Sequence, residues 1–344
     1  MRRSRIIDLK NGFAALVFTA AATLTNPAAP AHAADWTWIN EGGPAKSPDA
    51  ISVQWFLGDS YEVVRGYDNQ IWWRYRGGDW RIMPYDGRTV SRPEAVTVRD
   101  NTGAQRLAVF IVGNDGNIWY SFLRDAAGNS WTLWDDVPGS ARAWSGVTAV
   151  SQGNEVALQV TADGRVYTQT MQIYDNAVAF PYDGWRPDPN AVVGQARPTN
   201  VLLMHGLTSS LDTWVLPANS GDLWVSTIQT GHSAYIGNYR RAPYGGSCLS
   251  MDAGRGGPNE LSTNTSDPNY RAQQNLAIGC VSPVDHQLWV NTSTNAGSTF
   301  AGWSRITEGA ALNGTPEVHG SPDGQVFVTI SEGSQGALLM RRVM

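Results

Sequence analysis

Short apolar runs recur along the chain, among them Leu107–Val112, Val156–Val160 and Leu276–Ile278, and each is followed by a polar turn. Each turn holds Asp, Asn or Gly and leads into an aliphatic residue and then an aromatic one. The copies read Asp68-Asn69-Gln70-Ile71-Trp72, Asp115-Gly116-Asn117-Ile118-Trp119, Asp163-Gly164-Arg165-Val166-Tyr167, Gly221-Asp222-Leu223-Trp224, His286-Gln287-Leu288-Trp289 and Asp323-Gly324-Gln325-Val326-Phe327. An apolar run, an Asp-Gly type turn and a second apolar run predict a β-hairpin. The aliphatic positions are spaced by 47, 48, 57, 65 and 38 residues, near the roughly 40 to 50 of four-stranded propeller blades. The longest interval contains Gly254–Gln274, a polar stretch read as a loop inserted between two strands.

The surroundings of the motif repeat as well. A second Trp in a short segment and then a Gly turn follow it, giving Trp80, Trp131, Trp185 and Trp303, with Tyr235 or Tyr239 in the fourth unit. Each unit then reopens with an extended segment such as Arg92–Val98, so a unit holds four short strands. The sixth motif lacks an outer Trp segment, and the missing piece stands near the other end as Asp35–Gly42, which matches Ser130–Asp136. The expected fold is all-β: a six-bladed β-propeller of four-stranded antiparallel blades, with an N-terminal strand closing the last blade and leaving no open sheet edge.

Turn, aliphatic-aromatic pair, second Trp and Gly turn together resemble the repeats of tectonin-type and fucose-binding bacterial propeller lectins, across most of residues 34 to 344. The resemblance implies carbohydrate binding, with sugars held between adjacent blades. The repeats here diverge, Tyr167 and Phe327 standing in place of Trp.

Composition sharpens this picture. Charged residues make up 16% and aromatics 10%, and 15 residues are Trp; disorder and a charged coiled coil are excluded. Residues 1–33 read as a secretory signal peptide: a basic start at Arg2, Arg3, Arg5 and Lys10, an apolar run over Phe13–Leu24, and a small-residue site at Ala31-His32-Ala33. The apolar run is shorter than the ~20 residues of a membrane span. The expectation is a secreted protein whose mature part, 34–344, is one domain. Removing the signal's four basic residues and one acid takes the net charge from −5 to −8, which disfavours nucleic acid and anionic membranes as partners. An exported chain whose cysteines are Cys248 and Cys280 is expected to join them in a disulfide.

The inner aromatics are expected to cement blade to blade, and the outer set to lie near the rim. A pyranose needs an apolar ring face beside polar groups. The candidate carbohydrate-binding residues are therefore Trp80 with Arg81, Trp131, Trp134 with Asp135, Trp185 with Arg186, and Trp303 with Arg305. No catalytic residue, metal site or cofactor is expected, and the protein is read as a monomer with glycans as partners.

Two enzyme readings compete. Val201–Ser210 and Gly231–Tyr235 resemble the oxyanion loop and nucleophile elbow of α/β hydrolases, but Tyr235 stands where the elbow needs a small residue, and only 28 residues separate His205 from Ser233. A propeller glycosidase would need two facing carboxyl groups, which the sequence alone does not pair. It would show an axial pocket with clustered carboxylates or His of shifted pKa; a binding protein would show shallow rim sites. A non-catalytic interaction scaffold is the third alternative.

Overall fold

The computed structural model describes residues 39–40, 51–75, 77–125, 128–175, 177–192, 197–216, 221–229, 239–243, 245–258, 260–306, 312, 314–332 and 337–344. The expected signal peptide, Trp36, Ser233 and Tyr235 lie outside them.

Six antiparallel sheets follow one another along the chain and form the six blades. Blade one holds β2 (Ile51–Phe56), β3 (Asp59–Arg65), β4 (Ile71–Tyr75) and β5 (Arg81–Ile82); the label β1 belongs to Ile39–Asn40. Blade two holds β6 (Glu94–Arg99), β7 (Gln105–Val112), β8 (Ile118–Leu123) and β9 (Asp135–Asp136). Blade three holds β10 (Thr148–Gln152), β11 (Glu155–Ala162) and β12 (Arg165–Ile173), and its outer edge is shared by β13 (Val178–Ala179) and β14 (Arg186–Val192), both paired with β12. Blade four comprises β15 (Thr199–His205), β16 (Thr208–Val215), β17 (Trp224–Gln229) and β18 (Arg240–Arg241). Blade five comprises β19 (Ser250–Arg255), β20 (Leu276–Val281), β21 (Leu288–Ser293) and β22 (Trp303–Arg305). The insertion between β19 and β20 carries a short helix, α1 (Pro268–Ala272), capped by Asp267.

Blade six has β23 (Glu317–Gly320), β24 (Val326–Glu332) and β25 (Ala337–Arg342), and its fourth strand is β1, with Ile39 opposite Met340 and Asn40 opposite Leu339. The N-terminal segment thus completes the last blade, as the repeat pattern requires. The sixth unit differs from the other five. In the first five units the motif opens the third strand, whereas Val326-Phe327 opens β24, the second strand of blade six. The turn at Ser321–Gln325 has the same local bonding as the others, including Ser321 N–H to the Gln325 carbonyl at 2.9 Å, so local sequence could not tell which hairpin it closes.

The repeated turn has a physical cause. Asp68, Asp115 and Asp285 each accept the backbone N–H two residues on, at 3.0, 3.0 and 3.1 Å, an Asx turn. The same carboxylate oxygen accepts the indole Nε1–H of Trp72, Trp119 or Trp289 at 3.4 Å. A side chain at Gly66 or Gly113 would collide with this Asp-Trp pair.

Alternate side chains on each strand enter the two spaces beside a blade, and those spaces are the core. Phe110, Ile118, Val156 and Leu158 meet between blades two and three, while Leu288 and Val290 meet Val326 and Val328 between five and six. Each fully buried Val or Leu contributes about 1.5–3 kcal/mol. The disulfide forms between Cys248 and Cys280, with Cα atoms 5.4 Å apart. It ties the entry of blade five to β20, and the Cys248 N–H donates to the Gly221 carbonyl of blade four at 2.8 Å.

The innermost strands close a ring in which β2, β6, β10, β15, β19 and β23 are consecutive neighbours and β23 lies beside β2. Side chains staple them. Ser52 Oγ accepts from Ala95 N–H at 3.0 Å, Glu94 from Ala149 N–H at 3.3 Å, Asp252 from Val318 N–H at 3.0 Å, and Glu317 from Val53 N–H at 3.2 Å. Each of these residues bonds the next blade.

Candidate functional site

The outer Trp residues sit where the strand pattern places them, at the blade edges, but they face inward. Trp131 is only 6% exposed and meets Trp73 edge-on, centroids 5.7 Å apart. Trp134 lies over Gly87, where a Cβ would strike its indole, and Trp303 lies similarly over Gly246. Trp185 packs into the cluster between blades two and three. The indole nitrogens of Trp80, Trp131, Trp134, Trp185 and Trp303 are all enclosed, with no acceptor within hydrogen-bond distance. These rings therefore act first as packing between blades.

The polar partners named from sequence are also redistributed. Arg81 lies 5.7 Å from the Trp73 ring, and the arginine over Trp80 is Arg74, at 4.5 Å. Arg186 covers Tyr182 at 3.5 Å rather than Trp185. Asp135 accepts the Tyr120 hydroxyl at 3.1 Å, and burial beside Asp135 pushes the Tyr120 phenol up. Arg305 is exposed on β22, as is Ser304 before it, and pairs across to Trp289 in register.

One constellation stands out on blade one. Glu62 on β3 is directly opposite Arg74 on β4, and its Oε2 accepts from Arg74 Nε at 3.1 Å and Nη2 at 2.7 Å. The guanidinium lies between that carboxylate and the Trp80 ring, which also packs on Val53, Val64 and Trp72. Cation–π contact and a charge-assisted pair together fix the fork. Sequence reading missed Arg74 and Glu62, although a register comparison could have found them. The third-strand position of Arg74 is Ser121, Gln169, Ser226, Asn291 and Met340 in the other blades, and that of Glu62 is Val109, Leu158, Thr213, Ile278 and Thr329. Only blade one carries the charged pair at these positions.

A second polar assembly occupies the axis. Arg92 bonds Glu317 at 2.8 Å and Asp252 at 3.4 Å, and Arg197 bonds Glu94 at 2.8 Å and Asp252 at 3.0 Å. Burial pushes the Glu94 and Glu317 carboxyls well above the usual carboxylate range, with Arg92 opposing. His319, stacked on Phe327, is pushed down to about 4 by burial. A chamber of about 550 Å³ on the axis is lined by Glu94, Asp252, Glu317 and His319. Of the hydrolase fragments, His205-Gly206 is a tight hairpin turn between β15 and β16, in which the Thr208 hydroxyl donates to the His205 carbonyl at 3.0 Å.

No family model matches the chain, and no curated protein matches it. Among solved structures, a variant of the Aleuria aurantia lectin in complex with Fucα1-6GlcNAc aligns with TM-score 0.60 and 12% identity, over 88% of this chain and 93% of that one. The chain shares the fold of these lectins. AofleA from Arthrobotrys oligospora aligns with TM-score 0.58 at 10% identity, over 90% and 86%. The BP39L lectin from Burkholderia pseudomallei aligns with TM-score 0.57 at 14% identity, over 86% and 80%. The shared architecture is the six-bladed propeller named for the Aleuria lectin.

Proposed function

We propose that this protein is a secreted, monomeric glycan-binding propeller that holds a fucosylated sugar at the outer edge of blade one. The observation that carries the reading is the Arg74–Glu62 pair fixed against Trp80. Guanidinium and carboxylate groups pair with sugar hydroxyls, and the rim of an indole offers an apolar surface for C–H groups; here the pair is buried, Arg74 5% and Glu62 9% exposed, and Trp80 is half-buried beside it. Fold similarity to lectins whose structures hold fucosides supports the choice of sugar. Secretion is supported by the basic and apolar pattern of residues 1–33 and by the disulfide.

The axial carboxylates give the hydrolase reading a foothold, since they are clustered and shifted. Their bonding counts against it. Glu94, Asp252 and Glu317 each hold a neighbouring blade's N–H and an arginine, so their oxygens are engaged in joining blades.

The test is a glycan array followed by titration with α-methyl fucoside. Fucosylated glycans should bind, and Arg74→Gln and Trp80→Ala should each weaken binding about tenfold or more. Silence across neutral, fucosylated and acidic glycans, with turnover of a polysaccharide, would overturn the proposal.

A further inference from the structure

The axial ion cluster is polarised. The chamber of about 550 Å³ is lined by its three carboxylates, Glu94, Asp252 and Glu317, and by neither of its arginines. A second chamber, about 370 Å³, is lined by Arg92 and Arg197, is joined by Arg65, and has no carboxylate in its wall. Arg65, Arg92 and Arg197 thus line one small space, while the carboxylates that pair with Arg92 and Arg197 line the other. Arg92 is 3% exposed and Arg65 9%, so they act through a low-dielectric wall, where charge is screened least. The volume falls in the roughly 300–1,000 Å³ range of small-molecule pockets.

The lip of this chamber differs from its floor. Trp144 stands there 51% exposed, with its backbone N–H held by the Thr161 carbonyl at 2.9 Å. Among the candidate outer Trp residues none has this exposure. Ser91, Ser250 and Thr315 add hydroxyl groups to the wall. A floor that attracts an anion, hydroxyl-bearing walls and an open indole face describe one ligand chemistry: a carboxylate on a polyhydroxylated ring with a C–H face.

We propose that this chamber binds a carboxylated monosaccharide unit, its carboxylate directed to Arg65, Arg92 and Arg197 and its ring against Trp144. The residues are separate from Arg74, Glu62 and Trp80, so the two sites stand or fall independently.

Calorimetric titration of the full chain tests this with glucuronate, with glucose as the neutral counterpart and inorganic phosphate as a bare anion. Glucuronate should bind one per chain, about tenfold or more tighter than glucose, and more weakly as salt rises. Trp144→Ala should weaken it about tenfold or more, Trp144→Phe should restore most of the affinity, and Trp80→Ala should leave it unchanged. Trp144 is half exposed, so the variants should keep the parent thermal midpoint. The proposal is overturned by glucose binding as tightly as glucuronate, or by phosphate binding as tightly with no effect of Trp144→Ala. Loss of glucuronate binding in Trp80→Ala, or no binding of glucuronate at millimolar concentration, overturns it as well.

Discussion

Glu317 of blade six accepts the backbone N–H of Val53 in blade one at 3.2 Å, across 264 residues of sequence. Its other oxygen holds Arg92 at 2.8 Å. One buried side chain therefore joins the last blade to the first and anchors the axial cluster. Replacing it by Ala leaves Arg92 short of a partner and the Val53 amide without its acceptor; breaking such a buried pair costs about 3–5 kcal/mol. Urea unfolding of Glu317→Ala should show that loss, and a midpoint equal to the parent would deny the staple its role.

His319 supplies a pH dependence of known sign. Burial lowers its pKa from 6.5 to about 4, so below pH 6.5 the unfolded chain takes up a proton that the folded chain refuses. Its contribution is complete above pH 6.5 and is lost as pH falls toward 4, by an amount on the order of 3 kcal/mol. The same burial acts oppositely on Glu94 and Glu317, whose raised pKa values make the fold lose stability as pH rises above the ordinary Glu value. His319→Gln should flatten the parent's loss of thermal midpoint between pH 6.5 and 4. An unchanged slope would assign the acid sensitivity elsewhere.

Blades five and six approach too closely for side chains where glycines of one face the backbone of the other. A Cβ at Gly320 would collide with the Arg255 carbonyl, and one at Gly254 with the Val318 carbonyl. Gly320→Ala forces the inner strands β19 and β23 apart and should cost about 1–3 kcal/mol, as overpacking does. Thermal denaturation reads this directly; Gly58→Ala is no control, since its φ of 85° adds strain of its own.

The disulfide encloses a sequence separation of 32 residues, worth about 3 kcal/mol in the chain-entropy model. Cys248→Ser with Cys280→Ser should lower stability by that order without abolishing fucoside binding, because blade one lies elsewhere in the ring. Intact mass with and without reductant checks the bond itself.

The repeats were legible because their cause is local: Asp68 or Asp115, its turn and its indole lie within five residues. Chain closure was legible for the same reason, since the segment near Trp36 repeats the pattern around Trp131. What failed depended on pairing. The turn at Asp323 is chemically the same as its relatives and closes a different hairpin. Arg81 looked like the companion of Trp80 by adjacency but lies over Trp73, and Arg74 and Glu62 become partners through register alone. Glu94, Asp252 and Glu317 come from three blades, and Arg92 and Arg197 from the linkers before blades two and four, so no sequence window holds the axial cluster. Trp144 bears no sign of exposure beyond its absence from the repeated motif.

The pairing of Ile39 with Met340 also sets an order of events. During synthesis β1 emerges long before its partner β25 and must wait for it. Five blades can form as hairpins while the chain grows, but the ring can lock only once β25 is made. A ribosome stalled anywhere before residue 340 releases a row of blades with two open edges, which neighbouring molecules can pair with. Synthesis of β25 is thereby a checkpoint for solubility.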